Sequence, residues 1–257
     1  MIGHVTIIGH GRVGGAIAAR LHERNVRVDV IDRDHFEQFL HSSAPIGDIL
    51  VIAVKDASMP DVIERTARER ASSLGGVTVL HVNGSLGRDV LAPFQQHGAL
   101  IAAAHPFQTF RDADPSALDG IGWGCESSAV HRPSSVVHRP MPIVDEFVTV
   151  TGGVAVELAD TSDEGKRRYH ASAVAASNFT FAAYELGRRL AESAQIDPMI
   201  FLAPIMKRTM HNAVDALQYH DAFGDTGPLV RGDVEGVKRQ LMAIPEDLRP
   251  LYRQLSL

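Results

Sequence analysis

Val5-Thr6-Ile7-Ile8-Gly9-His10-Gly11-Arg12-Val13-Gly14-Gly15-Ala16-Ile17-Ala18-Ala19-Arg20-Leu21 decides how this chain is read. A short apolar, β-branched run enters Gly-x-Gly-x-x-Gly and leaves as an Ala-rich helix, which is the strand–turn–helix of a dinucleotide-binding fold. Each glycine has a separate task. Gly9 allows the tight turn, Gly11 lets backbone approach a pyrophosphate, and Gly14 lets the helix lie close to the strand. The free amides of the helix N-terminus then face phosphate, with His10, Arg12 and Val13 completing the loop. Glycines also serve ordinary strand-to-helix turns, so the context matters. A second β run, Val26-Arg27-Val28-Asp29-Val30-Ile31, ends at Asp32, about twenty residues beyond the glycines, where an acidic group binds ribose hydroxyls. Arg33 follows it.

Outward from this unit the pattern alternates. Residues 48–54 form a continuous apolar run of the kind found in strands covered on both faces. A helical stretch follows to about residue 73, then a strand at 77–82, a helix near 89–96 and a strand at 100–104. Further strands are expected at 122–126 and 154–158, with a helix at 143–151 between them. Strands alternating with helices predict an α/β fold, a Rossmann-like, doubly wound, mostly parallel sheet. From residue 163 the β pattern stops. Residues 166–194 read as one long helix, another spans 199–219, a glycine-rich turn covers 223–233, and a short helix runs to about 243. The expected division is a nucleotide-binding domain over 1–160 and a helical substrate or dimerisation domain over 161–257.

The 257 residues, 45% of them apolar, suffice for a sizeable core. A formal charge of −6 with dispersed Lys and Arg leaves no basic stripe, so nucleic acid is not an expected partner. The first strand starts within a few residues of Met1, and no apolar run approaches the roughly 18 residues that span a bilayer, so a cytoplasmic protein is expected. Cys125 is the single cysteine, which excludes an internal disulfide and a thiolate metal cluster. Thirteen histidines raise the question of a metal, but none form an H-x-x-x-H pair, and His131 and His138 sit in a Pro/Ser-rich stretch; no metal is expected.

In a doubly wound sheet ligands sit beyond the carboxyl ends of the strands. Three such ends are polar: Val54-Lys55-Asp56, Val82-Asn83-Gly84-Ser85, and Ala104-His105-Pro106. Hydride leaving a carbon that bears a hydroxyl or amine requires a proton acceptor, and histidine's ordinary pKa near 6.5 suits His105 to the task. The alternative is that His105 only bonds the turn ahead of Pro106, and that Lys55 is a solvated loop residue. The long helix carries Tyr169-His170 and Ser177-Asn178 among alanines. At α-helical spacing His170 and Ser177 lie within roughly 20° of one another, with Asn178 about 80° round and about 12 Å along, so they share a face without meeting. They either touch different parts of a ligand or bond backbone carbonyls. Thr226 and Arg231 lie in the stiffened turn Thr226-Gly227-Pro228-Leu229-Val230-Arg231-Gly232-Asp233, where Arg231 suits a bidentate grip on a carboxylate or phosphate, or else pairs with Asp233.

The ordered set Gly9 to Gly14, His105-Pro106 with Phe110, Tyr169-His170 with Ser177-Asn178, and Thr226-Gly227-Pro228 with Arg231-Gly232-Asp233 resembles a bacterial family that joins a Rossmann-like domain to a C-terminal domain of unknown function numbered 2520. The resemblance spans nearly the whole chain. It implies membership of the superfamily with 6-phosphogluconate dehydrogenase-like C-terminal domains, together with ketopantoate reductases, hydroxyisobutyrate dehydrogenases and prephenate dehydrogenases. It also implies a homodimer using NAD or NADP. His105-Pro106 resembles the His-Pro of prephenate dehydrogenases, whose histidine is catalytic. In the hydroxy acid dehydrogenases and ketopantoate reductases a catalytic lysine precedes an asparagine by four residues. Matching Asn178 to that asparagine puts Val174 at the lysine position; Lys166 stands two turns too early, which leaves His105, His170 or Lys55 for proton transfer. Asp32 resembles the ribose-binding acid of NAD-preferring members, whereas Arg12 and Arg33 suit a 2′-phosphate; like charges at close range disfavour NADP, so NAD is expected with NADP as the alternative.

The expectation is an NAD(P)-dependent dehydrogenase or reductase acting on a small, anionic hydroxy, oxo or imino compound held between two domains. His105, His170, Asn178 and Lys55 are the candidate catalytic groups, and Gly9, His10, Gly11, Arg12, Val13, Gly14, Asp32, Arg33, Val54 and Asn83 the cofactor contacts. Ser85, Ser177, Thr226 and Arg231 are the candidate substrate contacts. The competing expectations are a dinucleotide-responsive binding protein without turnover and a prephenate dehydrogenase-like enzyme.

Overall fold

The computed structural model describes residues 1–127, 141–219 and 231–256. Its first part runs β1 (His4–Ile8), α1 (Arg12–Glu23), β2 (Arg27–Ile31), α2 (Phe36–Leu40), β3 (Ile49–Ile52), α3 (Met59–Glu69), β4 (Thr78–His81), α4 (Ala92–Gln95), β5 (Leu100–Pro106), β6 (Gly122–Ser127), α5 (Pro142–Val150) and β7 (Val154–Glu157). The strands form one sheet in the order β2-β1-β3-β4-β5-β6-β7. All pairs are parallel except β5–β6, where Ala104 faces Cys125 in antiparallel register. The exception follows from the connection. Residues 107–121 contain no α-helix to carry the chain back across the sheet, only a 3₁₀ turn at Pro115–Leu118, so the strand returns alongside; α5 restores a parallel crossover before β7. The mostly parallel, doubly wound sheet expected from the sequence is the one observed.

Side chains alternate between the two faces of the sheet, and each face has its own core. Ile7, Ile49, Val51, Leu80 and Ala104 pack with Ile17 and Leu21 of α1 and with Phe147 of α5. Ile8, Leu50, Ile52, Val79 and Ile101 pack with Phe36, Phe39, Ile63 and Phe94 on the other side. That is why β3 reads as an uninterrupted apolar run: all four of its residues are buried. Each fully buried Ile, Leu or Phe contributes about 1.5–3 kcal/mol. Trp123 is completely buried in β6 and meets Phe147 edge-on at 5.9 Å.

The described chain separates into two compact units, Met1–Ala173 and Val174–Leu257. The division falls past the 160/161 boundary expected from the pattern, because most of α6 (Asp163–Val174) belongs to the sheet unit: its Gly165 and Lys166 are buried there. The second unit begins with a π-helical turn, Ala175–Phe179, and continues as α7 (Thr180–Ser193), α8 (Pro198–Tyr219), α9 (Val234–Ala243) and α10 (Arg249–Gln254). Its small core joins Leu186, Ile244 and Leu248. None of the 22 residues of α8 is buried, although Met199, Phe201, Ile205 and Leu217 are among them. Among the described residues, no helix is long and apolar enough to cross a membrane.

Candidate functional site

The glycine turn has the geometry its sequence asks for. Gly9 has φ +112°, and a Cβ there would lie 2.3 Å from the Ala53 carbonyl oxygen, so only glycine fits between β1 and the end of β3. A Cβ on Gly14 would lie 2.1 Å from the Gly9 oxygen, which explains how α1 approaches its strand so closely. Gly11 is different: a Cβ there would meet nothing within 4 Å. The first turn of α1 holds no acidic residue and no side-chain cap, so its amides are left for an anion. Sheet order changes direction between β1 and β3, and a crevice at this point is where such sheets bind ligands. Arg12 and His10 are exposed beside the turn, and Arg12 reaches the Phe110 carbonyl at 3.1 Å. These residues fit the diphosphate of a dinucleotide.

Asp32, one residue past β2, accepts hydrogen bonds at Oδ1 from the amides of Asp34 and His35, each at 3.0 Å, and pairs with His35 Nδ1 at 2.7 Å. Those bonds hold its carboxyl below the usual range, the His35 side chain first among them. The acid therefore shapes its own loop; Arg33 is exposed beside it. A cavity of about 400 Å³ flanks the edge strand β2, lined by Val28, Val30, Ile31, His35 and Arg70. It lies four strands from β5 and carries no part of the chemistry below.

At the ends of β3 and β4 the polar residues divide into two sorts. Val54 is half-buried and Lys55 exposed. Asn83 is committed to its turn: Oδ1 accepts from the Ser85 amide at 2.8 Å, the Ser85 hydroxyl at 2.9 Å and the Leu86 amide at 3.0 Å, while Nδ2 donates to Asp56 at 2.6 Å. Asn83 and Ser85 hold the loop as an Asx turn. His81 supports it from below. Fully buried, it accepts the Asn83 amide at Nδ1 (3.2 Å), so Nε2–H donates to the Gly87 carbonyl (3.1 Å), and burial pushes its pKa down to about 4.

The loop so held places Gly84 against two imidazoles. A Cβ on Gly84 would lie 2.7 Å from His170 Cδ2 and 2.8 Å from His105 Nε2. His105 comes from the end of β5 and His170 from α6, with ring centroids 6.0 Å apart. Tyr169 joins them: its hydroxyl lies 3.0 Å from His105 Nδ1, and its ring packs on Phe107 at 5.0 Å. Gly124 of β6 leaves room for the phenol, since a Cβ there would be 2.4 Å from the Tyr169 hydroxyl. Burial pushes the Tyr169 pKa up to about 12. A phenol that keeps its proton can donate to Nδ1, which leaves the proton of neutral His105 on Nε2, facing Gly84. Burial first, then the neighbouring His170, Lys166 and His81, push the His105 pKa down to about 4. This corrects the sequence argument, which took the ordinary histidine value: in its half-buried setting His105 is neutral throughout the physiological range.

Beneath Tyr169 lies a pair, Lys166 with Glu126; the sequence argument weighs Lys166 only as a replacement for the family's lysine and does not single out Glu126. Lys166 is fully buried, its Nζ 4.0 Å from Glu126 Oε2 and 5.9 Å from the centre of the Tyr169 ring. Glu126 also accepts the Arg88 amide at 3.2 Å. Burial draws the Lys166 pKa down and the Glu126 pKa up, each opposed by the other's charge. The available signal was the i, i+3, i+4 spacing of Lys166, Tyr169 and His170, which puts all three on one helical face.

Residues 139–257 match the family described as a domain of unknown function (DUF2520), and residues 34–106 match a Rossmann-like domain. The chain joins a Rossmann-like domain to a DUF2520 domain. No curated protein matches it. Solved structures share the fold. A Bacteroides fragilis protein described as an NADP oxidoreductase is 19% identical, with a TM-score of 0.75 over 99% of this chain and 96% of that one. An imine reductase from Pseudomonas is 20% identical (TM-score 0.65, 100% and 93% covered). A pyrroline-5-carboxylate reductase from Coxiella burnetii is 16% identical (TM-score 0.60, 100% and 95% covered).

His105 thus comes from the Rossmann-like part, and Lys166, Tyr169 and His170 from the DUF2520 part, though all four belong to one compact unit. The remaining candidates of the DUF2520 domain lie in the second unit. Ser177 and Asn178 sit in the π-helical turn, where the Ser177 hydroxyl donates to Asn178 Oδ1 at 2.8 Å. The wider turn breaks the uniform 100° advance assumed for a regular helix, so the angular argument that put them on the face of His170 does not hold through residues 175–179. Arg231 is exposed, and Asp233 caps α9 by accepting the Gly236 amide at 2.8 Å. Thr226, His131 and His138 lie outside the described residues.

Proposed function

We propose that the protein is an NAD(P)-dependent oxidoreductase that moves hydride between nicotinamide and the carbon of a small, anionic hydroxy, oxo or imino compound. The observation that carries this reading is the pairing, along one carboxyl edge of the sheet, of a glycine turn with open space at Gly11 and a half-buried, neutral His105 oriented by Tyr169. The activities by which the structural neighbours are described, an NADP oxidoreductase and two enzymes named as reductases of imine or pyrroline substrates, agree with it.

A nicotinamide cofactor bound at the turn would supply or accept the hydride. The chain's own residues do the rest. The α1 amides hold the diphosphate and Asp32 with Arg33 meets the adenine-side ribose. His105 presents Nε2–H beside Gly84, where it polarises a carbonyl or imine and passes that proton to the heteroatom as Nδ1 takes the Tyr169 hydroxyl proton, which solvent then restores. His170 borders the same space and orients the reacting group. Lys55, exposed after β3 in the same unit, is kept as a further group at the reacting end. Asp32 favours NAD, whereas the exposed Arg12 and Arg33 suit the 2′-phosphate of NADP. The exposed apolar residues of α8 support a homodimer built on the DUF2520 domain.

Panels of oxo acids, imines and hydroxy acids with NAD(H) and NADP(H) test the reading. His105→Ala is expected to lower turnover about 10²- to 10⁴-fold with cofactor affinity nearly kept. An unchanged rate removes His105 from the chemistry. Tight cofactor binding with no turnover on any substrate favours a dinucleotide-responsive binding protein, and calorimetry without heat for all four cofactor forms rejects both readings.

A further inference from the structure

A lysine ammonium with no hydrogen-bond partner is seldom sealed inside a protein, because burying an unsatisfied cation is costly. Lys166 is in that position: its Nζ is completely buried, makes no hydrogen bond among the described residues, and has Glu126 at 4.0 Å as its one ion-pair partner. An apolar residue would fill the place at lower cost, so the charge calls for an explanation. Three contacts in a row connect it to the proposed proton-transfer group: Lys166 Nζ lies 5.9 Å from the Tyr169 ring centre, the Tyr169 hydroxyl lies 3.0 Å from His105 Nδ1, and the Tyr169 and His105 rings meet edge-on at 5.6 Å.

We infer that Lys166, held by Glu126, is a positioning residue for His105: its ammonium fixes the Tyr169 ring from below and, through the low-dielectric interior, keeps the imidazole in its neutral, Nε2-protonated form. The inference rests on the oxidoreductase reading for its purpose but not for its test. The two ring distances bound the ammonium-to-imidazole separation at roughly 12 Å, where a unit charge at an effective dielectric of about 20 shifts a titration by about one pH unit. The direction agrees with the repulsion that Lys166 exerts on protonated His105 and His81. The other ionisable groups around the pair are Cys125 and Glu126 on β6, Glu157 on β7, Arg88 after β4, and Tyr169 and His170 on α6 itself. Cys125, its pKa pushed up to about 12 by burial, stays neutral, so Lys166 and Arg88 are the cations facing the acids here.

The test is a proton titration of His105 by NMR in the full-length, histidine-labelled protein, its signal assigned by loss in His105→Asn. The wild-type midpoint is expected near 4. Lys166→Met should raise it by about one unit, and Lys166→Arg, which keeps the charge, should leave it at the wild-type value. Should Lys166→Met fail to fold, Lys166→Gln, which removes the charge and leaves Glu126 a hydrogen-bond donor, takes its place; it should show the same upward shift, with a lowered kcat and unchanged KM for the cofactor. A structural role alone would alter the melting temperature and leave the midpoint in place, so an unmoved midpoint in folded Lys166→Met or Lys166→Gln overturns the inference. If the midpoint shifts while the wild-type protein turns over no substrate, the electrostatic role stands and the oxidoreductase reading falls.

Discussion

The burial of His105 predicts how this protein responds to acid. In the unfolded chain the imidazole takes up a proton near pH 6.5; in the folded protein burial and cationic neighbours hold it off until about 4. Between those values the unfolded state binds a proton that the folded state excludes, so the contribution is complete above pH 6.5 and is lost as the pH falls toward 4. A difference of about 2.5 units is worth about 3 kcal/mol, with a slope near 1.4 kcal/mol per pH unit in mid-window. His81, pushed down to about 4 by its own burial, adds a second contribution of the same sign. Urea unfolding followed through Trp123, the single tryptophan and fully buried in β6, reads the sheet unit directly. Carboxylates titrate nearby too: Glu126 and Glu157, their pKa values raised by burial, act in the opposite sense. Comparing wild type with His105→Asn cancels them. From pH 7 to pH 4.5 the wild-type protein should lose about 2.4 kcal/mol more than the variant. Parallel stability curves for the two would refute the claim that the fold holds His105 neutral.

Three further outcomes follow from the site. Gly11→Ala adds a methyl group into space with no neighbour within 4 Å, so stability should fall by less than about 1 kcal/mol while cofactor affinity drops at least about tenfold; Gly14→Ala, whose Cβ would lie 2.1 Å from the Gly9 carbonyl, should cost about 1–3 kcal/mol in thermal unfolding as well as binding. Equal stability losses in both variants would show that Gly11 is a packing residue. Tyr169→Phe keeps the ring against Phe107 but strips the partner from His105 Nδ1, and should destabilise by about 1–3 kcal/mol and turn the single His105 tautomer into a mixture visible in nitrogen NMR. Asp32→Asn retains an oxygen for the Asp34 and His35 amides and removes the charge; calorimetry should find the ratio of NADP to NAD affinity raised about tenfold, and an unchanged ratio would place the 2′-position elsewhere.

Most of the sheet was legible because its signals are local. Four buried residues in a row make β3 readable as a central strand, and Gly9 and Gly14 of the first turn each meet a steric condition that acts within a few residues or on the adjacent strand. The polar ends of β4 and β5 were legible as places, but Asn83 and Ser85 are occupied in holding a turn, which their residue types alone do not distinguish from binding a ligand. Ser177 and Asn178 were placed with the geometry of a regular helix, and no residue type in 175–179 announces the wider turn found there.

The order of strands and helices, the dinucleotide turn and the presence of a histidine at the end of β5 are properties of the amino-acid sequence, since steric and hydrophobic periodicity act over neighbouring residues. The proton affinity of that histidine, its link to Tyr169 and the burial of Lys166 beside Glu126 belong to the tertiary structure. They arise where α6 lies across β5 and the antiparallel β6, and desolvation and charge at that junction depend on distances between residues as much as 64 positions apart in the chain.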